Sequence, residues 1–129
     1  MSFIGACFFM HRERFFDIGG LDEAVGSWGQ YGQEIACKSW LSGGKLMTTR
    51  KTWAAHFFRT GNMKKHRGGS TWPYPMSSRA QERARQYSRD YWFNNKWPKQ
   101  KHNLAWLVDR FWPVKGWTEE DKSQLGAIW

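Results

Sequence analysis

The sequence predicts an α/β fold, a mixed sheet in short segments with helices flanking it, and two kinds of pattern predict it. A continuous apolar run at residues 3–10, where periodicity does not separate helix from strand, and the Trp- and Phe-rich stretch 51–58 are consistent with strands. Around and after them, apolar residues recur at three- and four-residue intervals and are closed off by glycine, the pattern of amphipathic helices. A chain of 129 residues fits one domain, or one piece of a larger one.

Taken in order, residues 3–10 read as a buried strand. The run is too short to span a membrane, and no positive region precedes it as in a secretion signal. Residues 12–18 follow as a short helix stopped by Gly19 and Gly20. From Gln33 on, Ala36, Cys37, Trp40 and Leu41 share one helical stripe, with Gly43 and Gly44 as the stop. Residues 45–50 and 51–58 read as extended segments. Between 60 and 77 the character changes: Gly61, Gly68 and Gly69 are interspersed with Lys64, Lys65, His66, Arg67, Pro73 and Pro75, a long loop of the kind that serves as a lid or binding loop. Ser78 and Gln81 make a capping-box pattern, after which Ala80, Ala84, Tyr87 and Tyr91 keep helical spacing to about Phe93. Leu104, Leu107, Val108 and Phe111 mark another helix that ends before Pro113, and Thr118 with Asp121 caps a last short one.

The formal charge of +9, from 20 Lys+Arg against 11 Asp+Glu, favours anionic partners: nucleic acid, a membrane surface or a phosphorylated small molecule. Ten tryptophans exceed what a small core requires, and aromatic faces serve flat or ring-shaped ligands; a Trp-rich core is the plainer reading. Cys7 and Cys37 lie far apart without a CxxC partner, so neither a zinc motif nor a disulfide framework is indicated. Reduced thiols, and with them a cytoplasmic location, are the expectation. The stretch GSWGQYGQE, at 26–34, carries amides, aromatics and a carboxylate but no core-forming aliphatic, and reads as a pocket wall leading into a helix.

Three segments in this order, GACFFMHRERFFDIGGLDE, WGQYGQEIACKSWLSGGKL and TWAAHFFR, resemble the acceptor-side half of GT-A glycosyltransferases of the family 2 kind and the related polypeptide N-acetylgalactosaminyltransferases. The resemblance covers residues 3–59 well and continues weakly through PYP and the RDYW helix. It implies a partial GT-A fold, with 1–95 as the acceptor-side portion of a glycosyltransferase domain and 96–129 as a C-terminal helical extension. The activity it implies is sugar transfer from a nucleotide-sugar donor to a hydroxyl of a carbohydrate or other acceptor.

In that family a helix opening with paired acids presents a carboxylate to the reacting sugar. Here Tyr31 and Gly32 stand at the pair, and Glu34 matches the acid shortly after it. The resemblance therefore makes Glu34 the candidate catalytic base, at a helix start where negative charge is favoured. The other reading of Glu34 is an ion pair with Lys38, one helical turn on. Trp28, Gln30, Tyr31 and Gln33 are the expected acceptor or sugar contacts, with Trp53 and Trp72 as further walls. His56 resembles the histidine that joins an Asp-x-His motif in holding a divalent metal, manganese or a similar first-row ion; a structural histidine is the alternative. Arg59, Lys64, Lys65 and Arg67 resemble a loop that closes over the donor diphosphate, or form a solvated basic loop.

No D-x-D or D-x-H occurs in the sequence. The donor site and the remaining metal ligands are accordingly expected elsewhere: on an N-terminal half, on a complementing chain, or lost from a truncated reading frame, with this chain inactive alone. The rival is a basic, aromatic module for single-stranded nucleic acid, in which Lys and Arg track phosphates and aromatic rings stack on bases. No RRM, KH or helix-turn-helix signature supports it. A partner-binding subunit is a third reading.

Overall fold

Residues Tyr31–Leu41 form the helix, α2, around which the rest of the chain is arranged. The computed structural model describes residues 7–55 and 77–126. Before α2 come a short helix α1 (Arg12–Asp17) and a 3-10 turn (Glu23–Val25). After it come α3 (Ser78–Phe93), α4 (Leu104–Arg110) and α5 (Glu119–Gly126).

The helix ends follow from local chemistry. α1 stops where Gly19 takes φ +84°, a left-handed conformation that side chains resist, and Gly20 N–H returns to Phe15 O at 2.8 Å. α2 stops the same way at Gly43 (φ +84°), and Gly44 follows with its backbone pressed so close that a Cβ would lie 2.7 Å from Ser39 O. Ser77, one residue before the capping box read from the sequence, caps α3 by accepting from Ala80 N–H at 3.1 Å. Asn103 caps α4 through Trp106 N–H at 2.8 Å. Thr118 and Asp121 bond reciprocally ahead of α5, Asp121 accepting from Thr118 N–H and Thr118 from Asp121 N–H.

The core is one cluster. Ile35, Cys37, Trp40 and Leu41 of α2 meet Ile18, Trp92, Trp97, Leu104, Leu107, Val108 and Leu125. Trp97, α4 and Leu125 therefore share a core with α2, and the link is tied down where Lys101 and His102 N–H both donate to Leu41 O. Burial of each large aliphatic side chain in such a cluster is worth about 1.5–3 kcal/mol. α2 is buried on most of its circumference, which is why polar Lys38 and Ser39 are buried with it.

The sheet expected from the sequence is absent: the described residues are helical and carry no strand. At 7–10, the described part of the first expected strand, Phe9 is 91% exposed, and at 45–55 Met47 and Trp53 are 86% exposed. A strand exists only where a neighbour pairs with its backbone, and no such ladder is formed by these segments among the described residues. An apolar run records a demand for burial, not a pairing partner. The mixed sheet, and the GT-A architecture that needs it, is therefore not the fold of the described residues. Residues 3–6, 56–58 and the long loop at 60–76 lie outside them.

Candidate functional site

The turn that leads into α2 is fastened from beneath. Glu34, in the first turn of α2, has a 6% exposed side chain and accepts at Oε1 from Lys38 Nζ (2.6 Å) and from Asp22 N–H (2.7 Å). Lys38 Nζ also donates to Gly20 O at 2.8 Å. The ion pair thus holds both ends of the Gly20–Asp22 turn against α2. Asp22 in turn accepts from Tyr87 Oη of α3 at 2.7 Å, a bond to the neutral phenol that pushes the Tyr87 pKa up to about 12. Burial, reinforced by the Glu34 charge, does the same to the Cys37 thiol, also to about 12. Loop, α2 and α3 form one braced unit.

Above this brace a groove of about 450 Å³ opens, lined by Gln30, Gln33, Arg85, Arg89, Phe93 and Trp117, with Gly116 and Asp121 at one edge. The α3 wall follows from helical spacing. Arg85, Arg89 and Phe93 stand four residues apart on one ridge, while Ala84, Ser88 and Trp92, also four apart, are buried on another. Phe93 and Trp117 stack with ring centroids 5.7 Å apart, and the Arg89 guanidinium lies 5.0 Å above the Phe93 ring. Gly116, at φ +83°, turns the chain so that Trp117 reaches this wall.

Gln30 is the telling residue. It is 8% exposed, lines the groove, and its amide makes no side-chain hydrogen bond among the described residues, not even as the N-cap of α2. Among the described residues the buried side-chain atoms without a hydrogen-bond partner are Ser39 Oγ, Trp40 Nε1 and Gln100 Oε1, so the Gln30 amide stays open to water. An amide that lines a groove unbonded offers a ligand both a donor and an acceptor.

The structure brings together two of the expected acceptor contacts, Gln30 and Gln33, in this groove. Trp28 and Tyr31 flank it in sequence but do not line it; Trp28 is 67% exposed, and Tyr31 meets Phe8 edge-on at 5.7 Å. Glu34 lies under the groove, in the ion pair with Lys38, beside a small crevice shared with Asp22, Tyr87 and Tyr91. Trp53 is exposed and does not line the groove. His56, Arg59, Lys64, Lys65, Arg67 and Trp72 lie outside the described residues. Among the described residues no three His, Cys, Asp or Glu side chains gather to hold a metal ion, so the described side chains do not themselves supply the expected manganese site. The reading of the sequence missed Arg85, Arg89, Phe93 and Trp117. The four-residue spacing on α3, on the ridge next to its buried one, is the signal that points to the first three.

Three known proteins are similar to part of this chain. A probable N-acetylgalactosaminyltransferase 9 of Caenorhabditis elegans is 33% identical over 69 residues, 54% of this chain and 10% of the relative. The polypeptide N-acetylgalactosaminyltransferase 8 of Drosophila melanogaster is 35% identical over 60 residues, 46% of the chain and 10% of the relative. The N-acetylgalactosaminyltransferase 4 of the same fly is 36% identical over 61 residues, 47% of the chain and 9% of the relative. The matched stretch thus spans about a tenth of these relatives, and supports a relationship to glycosyltransferases at that coarse level. No family model matches the chain, and no solved structure matches it.

Proposed function

We propose that the chain supplies the acceptor-binding part of a glycosyltransferase, in which a sugar passes from a nucleotide-sugar donor to a hydroxyl of a bound saccharide. The observation that carries this reading is the groove, which Gln30 and Gln33 line together with the stacked rings of Phe93 and Trp117. A saccharide asks for this combination. Its C–H faces pack on aromatic rings, and its hydroxyls both donate to and accept from amides, as Gln30 and Gln33 do. The partial similarity to N-acetylgalactosaminyltransferases adds independent support.

In this reading Glu34 is a positioning residue. With Lys38 it fixes the turn that delivers Gln30 to the groove, and a weakened brace lowers saccharide affinity through Gln30. Acceptor binding positions the nucleophilic hydroxyl and desolvates it, and both effects lower the barrier to transfer. The test is calorimetric titration of the full chain with neutral oligosaccharides and, separately, with single-stranded oligonucleotides. Saccharide binding that Trp117→Ala abolishes is the expected result. Salt-sensitive oligonucleotide binding with no saccharide binding would replace this reading with the nucleic-acid one.

A further inference from the structure

We infer that the saccharide taken by this groove is acidic, bearing a carboxylate or a phosphate that Arg89 receives. The inference rests on the acceptor reading above and names the class of ligand for that site. Two arginines line the groove against one carboxylate, Asp121. That carboxylate is already engaged at the start of α5, its Oδ2 accepting from both Thr118 N–H and Thr118 Oγ1 at 2.8 Å, bonds that hold the Asp121 pKa below its usual value. Arg85 is paired with Glu82 at 3.0 Å, with both side chains more than half exposed, so that contact is easily exchanged.

Arg89 differs from both. Its guanidinium carbon lies 5.0 Å from the centre of the Phe93 ring, and the group makes no ion pair or hydrogen bond among the described residues, although the field of Asp121 reaches it. Its N–H groups are thus uncommitted, and the planar fork of a guanidinium matches two oxygens of a carboxylate or phosphate. The groove also opens beside the first turn of α2, lined there by Gln30 and Gln33, the end of a helix that favours negative charge. Gln30, its amide unbonded among the described residues, lines the same space. A neutral sugar would satisfy the amides and the rings but give the Arg89 charge no anionic partner; an acidic one supplies it.

The experiment titrates the full chain, at physiological salt, with four probes: a glucuronic-acid-terminated oligosaccharide, its glucose-terminated counterpart, glucose 6-phosphate and uridine diphosphate. Expected is at least tenfold tighter binding of one acidic saccharide than of the neutral one. The oligosaccharide and the sugar phosphate tell carboxylate from phosphate. Arg89→Gln should erase that preference, bringing acidic and neutral oligosaccharides to the same affinity, with Arg89→Lys in between because an ammonium restores charge but not the fork. Equal affinity for acidic and neutral oligosaccharides overturns the inference while leaving the acceptor reading in place, as does a preference that Arg89→Gln leaves intact. Binding of uridine diphosphate alone, lost in Arg89→Gln, overturns it in favour of a donor phosphate. Binding of no probe overturns the inference and the acceptor reading together.

Discussion

Replacing Lys38 with methionine tests whether the brace beneath the groove is a buried ion pair or an ordinary surface one. The Lys38 side chain is 4% exposed and that of Glu34 6%, and the ammonium serves both Glu34 and Gly20 O. Methionine keeps the volume and removes the charge. The Glu34 carboxylate is then left with the Asp22 N–H alone. Breaking a buried pair from one side costs about 3–5 kcal/mol, against about 0.3–0.5 kcal/mol for an exposed helical pair one turn apart. A domain is stable by only about 5–15 kcal/mol, so Lys38→Met should remove a large share of that total. Urea unfolding followed by far-UV circular dichroism measures it as a fall in midpoint at constant slope. The double variant Glu34→Leu/Lys38→Met removes both charges and should recover most of the loss, because a well-packed apolar pair often equals or exceeds a buried ionic one. A Lys38→Met midpoint that corresponds to less than about 0.5 kcal/mol would refute the brace, since only an exposed pair costs so little.

Three further outcomes follow from the same structure. Tyr87→Phe deletes a hydrogen bond to a carboxylate and should cost about 1.5–3 kcal/mol near neutral pH. In the parent, because folding raises the Tyr87 pKa from 10.0 to about 12, that contribution is complete below pH 10 and is lost as pH rises toward 12. A stability–pH profile identical in parent and Tyr87→Phe across this window would contradict it. Exposed Cys7 should react with a thiol reagent in the native state, while buried Cys37, its pKa near 12, should react only on unfolding; two equally fast thiols would show that α2 is not enclosed. Gly44→Ala should lower the melting temperature, because a Cβ 2.7 Å from Ser39 O forces the end of α2 to shift; an unchanged melting temperature would mean the turn yields freely.

Where the sequence could be read and where it could not divide along a physical line. Helices announce themselves locally: the stripe Ala36, Cys37, Trp40 and Leu41, the Gly43–Gly44 stop and the Thr118–Asp121 cap are all present as read. The α3 cap moved from Ser78 to Ser77, because adjacent serines offer the same hydroxyl one residue apart, and α2 starts at Tyr31, two residues before the start read at Gln33. Strands depend on a distant partner, and the apolar segments around Phe9 and Met47 show that hydrophobicity alone does not supply one. The site divides in the same way. Gln30 and Gln33 were legible because they sit beside a helix start in an amide-rich turn. Trp117 was not, because only the turn at Gly116 brings it to α3, and no pattern within residues 114–118 carries that information. For Glu34 both readings were legible, and the pair with Lys38 is formed. What decides such a case is burial, which depends on how α3 and the Gly20–Asp22 turn close over α2.

The most direct test of the account is a nuclear magnetic resonance titration of the full chain with an acidic oligosaccharide, following side-chain amides and indoles as well as the backbone. The account predicts that the Gln30 and Gln33 amides, the Trp117 indole and the Arg89 guanidinium resonances shift together and saturate with one affinity, while the indoles of exposed Trp28 and Trp53 stay in place. Shifts centred on Trp28 and Trp53, or no shift at Gln30 when the ligand is bound, would contradict it.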